Sequence, residues 1–261
     1  MIRYVTLDPT GNLTCLVLDP VAAKARDRVT DALMNRCEQV GYLEAPRNYP
    51  EMARARLQMM GGEFCGNASM GTAAWLAMQD GLETGGEEEV ILEVSGVKEP
   101  VICLVRRETA CWTGTVDMPS ILGTEEIRIK GVAFTAVHMS GITHLIYAGG
   151  RMEKTEAEAL LRYAAAEVPA KAIGLLQWKE TECYMTPLVF VRTSGTMTWE
   201  SACGSGTTAI GAWKTLKAEK STRVTIGQPG GKLTVETETD RGKIRRIRLT
   251  GSIRIGETET L

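Results

Sequence analysis

One cysteine-led segment occurs twice in the chain. Cys65-Gly66-Asn67-Ala68 opens a run that closes on Ala74-Trp75, and Cys203-Gly204-Ser205-Gly206 opens one that closes on Ala212-Trp213. Cysteine, glycine, alanine and tryptophan keep the same register in both copies, about half a chain apart. A cysteine at a helix start meets unpaired amide donors and the positive end of the helix dipole, which lower a thiol from its usual pKa of about 8.5. The glycine behind each cysteine lets a ligand approach the backbone, so Gly66-Asn67 and Gly204-Ser205 are expected to offer amide donors to a carboxylate. With both helices aimed at one cleft, a substrate Cα would lie between two sulfurs. One thiolate would remove the α-proton from one face and the opposite thiol would return a proton to the other. Stereoinversion needs the motif twice, whereas a single nucleophilic cysteine does not.

The elements around these segments read as two halves. Strands are expected at 1–6 and 13–19, with a turn at Pro9-Thr10-Gly11-Asn12. Asp19-Pro20 reads as an N-cap and first-turn proline for a helix from Val21 to Val40, ended by Gly41. Strands follow at 54–60, 90–94, 99–106 and 111–117, and the first cysteine-led helix stops near Gly81. The second half reads as strands at 126–138 and 142–148, a helix over 154–167, strands at 172–177 and 183–193, and the second cysteine-led helix over 203–217. Three strands at 222–226, 232–238 and 244–249 complete it. Residues 1–120 and 121–251 are the expected domains, each a mixed sheet with one long helix, an α+β class.

Bulk properties narrow the partners. Thirty basic and 32 acidic residues leave a net charge of −2, which gives no reason to expect nucleic acid or a membrane surface as partner. No segment reads as a membrane span or signal peptide, so a cytoplasmic location is the expectation. Seven cysteines without CxxC spacing, beside two histidines, argue for reduced thiols and no metal site. Cys15, Cys37 and Cys103 read as small buried hydrophobes. A homodimer is expected on base rate alone.

The chain resembles the diaminopimelate epimerase family, within the wider group that includes proline racemases and PhzF-type isomerases. The likeness rests on Cys65-Gly66-Asn67, on Ala202-Cys203-Gly204-Ser205-Gly206, and on Gly11-Asn12. Further matches are Val40-Gly41-Tyr42-Leu43-Glu44, the strand Arg56-Leu57-Gln58-Met59-Met60 before the first cysteine, and Leu249-Thr250-Gly251-Ser252. The resemblance implies two pseudo-symmetric domains, each a curved sheet around a central helix, with the active site in the cleft between them and the last strand, about 252–261, returning to the first. It also implies amino-acid racemisation or epimerisation without pyridoxal phosphate or another cofactor. Cys65 and Cys203 become the acid/base pair, Asn12 and Glu44 substrate contacts, and Gly66, Asn67, Gly204 and Ser205 the carboxylate grip. His144 matches a family histidine that tunes the cysteines. Glu200 reads either as a second tuning group or as a capping carboxylate.

Departures from the family pattern concern the substrate. Family members carry Glu-Arg shortly before the second cysteine motif, where this chain has Ser194-Gly195-Thr196-Met197-Thr198-Trp199-Glu200. Met59, Ile142 and a residue near Leu176 stand where asparagines are expected. A second carboxylate and ammonium buried there would lack partners, at a cost of several kcal/mol. A free amino acid with a basic or aromatic side chain is therefore favoured, histidine among them. Diaminopimelate epimerase proper, and an amino-acid-binding module without turnover, are the competing readings.

Overall fold

The computed structural model describes residues 1–192 and 195–261. In chain order the first strands are β1 (Arg3–Pro9), β2 (Thr14–Val17), β3 (Gln39–Glu44), β4 (Ala55–Met59), β5 (Glu87–Val94), β6 (Val101–Arg107) and β7 (Trp112–Asp117). Helix α1 (Arg26–Leu33) lies between β2 and β3, and α2 (Gly66–Gln79) between β4 and β5. There follow β8 (Gly123–Ile129), β9 (Val132–Met139), β10 (Ile142–Tyr147), α3 (Lys154–Glu167), β11 (Ala172–Lys179), β12 (Tyr184–Val191) and β13 (Thr196–Trp199). The chain ends with α4 (Gly204–Ala218), β14 (Thr222–Gln228), β15 (Gly231–Asp240) and β16 (Lys243–Thr260). Two compact units result: Met1–Asp117 with Leu249–Leu261, and Met118–Arg248.

In the first unit the strands run β1-β2-β3-β4-β5-β6-β7-β16, and β16 pairs back onto β1 antiparallel, closing an eight-stranded barrel. Parallel neighbours β2/β3 and β4/β5 are joined through α1 and α2, as parallel strands require a crossover. Helix α2 packs against β1, β5, β6 and β7 and is buried from Gly66 to Ala74 without interruption. Its sequence is accordingly apolar and small all round instead of striped.

In the second unit the order is β15-β14-β12-β11-β10-β9-β8, with β13 beside β12. Helix α3 links the parallel pair β10/β11 and packs on β11, β12 and β8. Helix α4 packs on β15, β14 and β10. Ile129, Phe134, Leu145, Leu161, Leu175 and Leu188 form the core beneath α3.

Four expectations are corrected. The helix expected over Val21–Val40 is a single 3₁₀ turn at Ala23–Ala25 followed by α1, which ends at Leu33. Asp19 does not cap it: its carboxylate accepts from the Arg3 backbone N–H at 2.7 Å and binds the Arg3 guanidinium. Gly41 does not end a helix but lies inside β3, where a Cβ would stand 2.8 Å from Leu57 Cδ1. Finally, the stretch 126–138 is two strands, not one. Lys130 and Gly131 (φ +51° and +81°) form the left-handed turn that separates β8 from β9.

Candidate active site

In the first unit Cys65 is the N-cap of α2, and its sulfur accepts from the Ala68 amide at 3.4 Å. The first bond within the helix runs from Ser69 N to Cys65 O, and the Ser69 hydroxyl donates to the same carbonyl at 2.7 Å. Gly66 and Asn67 therefore occupy the two positions whose amides precede the helical ladder. Gln39, at the start of β3, donates from Nε2 to Cys65 Sγ at 3.2 Å. The same nitrogen lies 2.7 Å from Asn12 Oδ1 and 2.8 Å from Thr14 Oγ1. Asn12 is buried, receives Asn67 Nδ2 at 3.2 Å, and donates to Glu38 Oε2 at 2.7 Å. The tight turn before it (Thr10 φ +60°, Gly11 φ +91°) is pinned by Asp8, which accepts from the Gly11 amide at 2.6 Å.

Asn12 and Asn67 thus meet at Cys65, as their motifs imply, but Glu44 does not join them. Its carboxylate is bound by Arg26, Arg47 and Arg56. It stands five residues along β3 from Gln39, about 16 Å at the usual strand rise. The structure places Glu44 in an ion cluster with three arginines, apart from the groups that meet Cys65. Gln39, the first residue of β3, and Glu38 just before it, which sequence reasoning passed over, contact the thiol and Asn12 respectively. The available signal was the polar pair Glu38-Gln39 immediately ahead of the run Val40-Gly41-Tyr42-Leu43.

In the second unit Cys203 is the N-cap of α4, buried, with its sulfur accepting from the Gly206 amide at 3.3 Å. Ser205 Oγ is 3.5 Å from Cys203 Sγ and 2.8 Å from His144 Nε2, so a hydroxyl links imidazole to sulfur. His144 is wholly buried in β10, and burial pulls its pKa down to about 3, leaving a neutral ring. Its β11 neighbour in register is Gly174, where a Cβ would lie 2.2 Å from His144 Nδ1. Only glycine admits the ring there.

Burial pushes the Cys203 thiol well above its ordinary value. The Glu200 carboxylate, hydrogen-bonded to it, raises it further, against smaller opposing bonds from Ser205 and the Gly206 amide. The lowering expected from the helix start is outweighed at Cys203, which rests as a thiol able to give a proton. Trp199 packs against the core under α3 and donates to Glu158 Oε1 at 2.9 Å. Ser194 lies outside the described residues. Among the described residues no cluster of His, Cys, Asp and Glu could hold a metal ion, and no helix is long and apolar enough to cross a membrane.

Two helix-capping thiols, each with its own polar escort, belong to an isomerase of the amino-acid racemase and epimerase class. Residues 1–260 match the family model described as the histidine racemase CntK N-terminal domain, and the chain belongs to that family. A histidine racemase of Fusobacterium nucleatum is 29% identical over 251 residues, covering 92% of this chain and 90% of the relative. One from Staphylococcus aureus is 26% identical over 250 residues, covering 91% and 89%. Among solved structures, a hydroxyproline epimerase from Agrobacterium vitis shares the fold with a TM-score of 0.71 at 14% identity, covering 99% of this chain and 91% of its own. A probable proline racemase from Agrobacterium radiobacter K84 does so with a TM-score of 0.73 at 14% identity, covering 100% and 93%.

Proposed function

We propose that this protein racemises free histidine at Cα, with Cys65 and Cys203 as the two acid/base groups and no organic cofactor. The observation that carries the reading is the matched capping: each sulfur accepts an amide from the first turn of its own helix and has a polar side chain beside it. One sulfur, as thiolate, takes the α-proton. The other, as thiol, protonates the opposite face of the carbanion. The amides of Gly66, Asn67, Gly204 and Ser205 bind the α-carboxylate and stabilise charge as it develops. The His144–Ser205–Cys203 chain lets protons reach or leave the second sulfur. Each unit also runs a similar connection, β3/β4 through α2 to the parallel β5 in the first and, with β13 intervening, β11/β12 through α4 to the parallel β14 in the second. This supports the reading of the two units as duplicated halves.

Histidine is favoured by Glu38, an acidic group beside Asn12 and Gln39 in the Cys65 cluster that suits an imidazole N–H or a cationic side chain. The family relatives named histidine racemases point the same way. Trp199-Glu200-Ser201-Ala202 before Cys203 provides no arginine for a second carboxylate, which disfavours diaminopimelate. Chiral analysis after incubation with L-histidine, LL-diaminopimelate and the other common amino acids tests the proposal. D-Histidine as the dominant product supports it. Conversion of diaminopimelate alone would replace it with the epimerase reading, and binding without any solvent exchange at Cα with the binding-module reading.

A further inference from the structure

We propose that Gln228 is the positioning residue of Cys203, holding the second acid/base group by its backbone. This inference rests on the racemase reading for its kinetic consequence. Gln228 closes β14, is buried, and accepts the Cys203 backbone N–H on Oε1 at 2.6 Å. Its Nε2 donates to Thr207 Oγ1 at 2.9 Å, and that hydroxyl donates to the Cys203 carbonyl at 2.8 Å. One side chain therefore ties down both backbone polar groups of the cysteine, directly and through Thr207. The turn that follows is fastened to the same approach strand, because the Gly230 amide donates to Ser201 O at 2.7 Å. A carboxamide is required here: it must accept at one end and donate at the other, which neither a carboxylate nor an aliphatic chain does. Gln228 touches neither the sulfur nor any reacting atom, so it acts only through where Cys203 sits.

That role has a signature which loss of stability lacks. With Cys203 displaced, Cys65 can still break the Cα–H bond of the enantiomer it faces and form an S–H bond. It then exchanges that proton with solvent and returns a deuteron to the same face. Exchange with retention survives for one enantiomer, while inversion fails. A displacement of about 1 Å typically costs about 100-fold in rate.

The test uses Gln228→Met and Thr207→Val in the full chain, with Thr207→Ser as the conservative control, in heavy water with L- and D-histidine. Inversion is expected to fall about 10- to 100-fold in both directions. Deuterium exchange should persist within about threefold for one enantiomer and fall with inversion for the other, and Thr207→Ser should restore both. Parallel loss of both exchanges and inversion, or no loss, overturns the proposal. Methyl methanethiosulfonate modification, read by peptide mass spectrometry, decides independently of turnover. Loosening the cap should speed modification of Cys203 at least about threefold and leave Cys65 unchanged, as access to a buried sulfur governs its reactivity. An unchanged Cys203 rate overturns the proposal, whereas a wild-type protein inert toward every amino acid overturns only the racemase reading.

Discussion

Gln39 Nε2 stands 3.2 Å from Cys65 Sγ while lying within 2.8 Å of both Asn12 Oδ1 and Thr14 Oγ1. Its two N–H groups are shared among these two oxygens and the sulfur. A hydrogen bond to a charged acceptor is worth about 1.5–3 kcal/mol, roughly 10- to 150-fold in rate if the thiolate is the base. Gln39→Ala should lower kcat/KM for racemisation by that factor, with little change in thermal midpoint. Steady-state kinetics by circular dichroism measures it, and an unchanged kcat/KM would remove Gln39 from the site.

Glu44 and Glu38 separate structure from specificity. Glu44 is held among three arginines with its side chain only 13% exposed, so Glu44→Gln should destabilise the first unit by about 1–3 kcal/mol and leave kcat/KM close to wild type. Glu38→Gln should instead raise KM for histidine several-fold with less effect on the melting temperature. Thermal denaturation beside kinetics distinguishes the two, and reversed outcomes would restore Glu44 to the site.

Gly174→Ala places a methyl group where the His144 ring lies. Overpacking of this kind costs about 1–3 kcal/mol. It should also break the His144–Ser205 contact and depress racemisation. Adding His144→Ala to Gly174→Ala should recover the melting temperature without recovering the rate. Additive losses in this double-mutant cycle would show that the two residues do not compete for the same space.

His144 also sets a pH dependence. Its folded pKa, about 3, lies below the unfolded value of about 6.5. The unfolded chain therefore binds the proton first as pH falls. Stability is fully present above about pH 6.5 and is lost toward pH 3, at up to about 1.4 kcal/mol per pH unit from this residue. Urea denaturation between pH 7 and 4 should show this slope reduced in His144→Gln. An identical slope would place the acid sensitivity elsewhere.

Much of this arrangement is legible in the residues themselves. Small residues behind each cysteine mark helices buried on all sides, and α2, α3 and α4 fall within a residue or so of the periodicity. Local pattern fails where tertiary contacts decide. Val21 to Val40 carries helical spacing, yet its last residues are drawn into β3 by pairing with β2 and β4. The acidic partner of Asn12 is Glu38, because strand register, not sequence motif, sets which end of β3 reaches the thiol. Cys203 illustrates the same limit. The helix start is visible in sequence, but the burial and the Glu200 contact that override it are three-dimensional.

The central claim is that two cysteines share one Cα. Its most direct test is solvent-deuterium incorporation during histidine turnover by wild type, Cys65→Ser and Cys203→Ser under reducing conditions. Wild type should incorporate one deuteron at Cα as it inverts. Each single variant should lose inversion, because serine is far less acidic than a thiol. The two should differ in which enantiomer still exchanges, each keeping the one its remaining cysteine faces. Full inversion in both variants, or the same residual exchange in both, would contradict the two-thiol account.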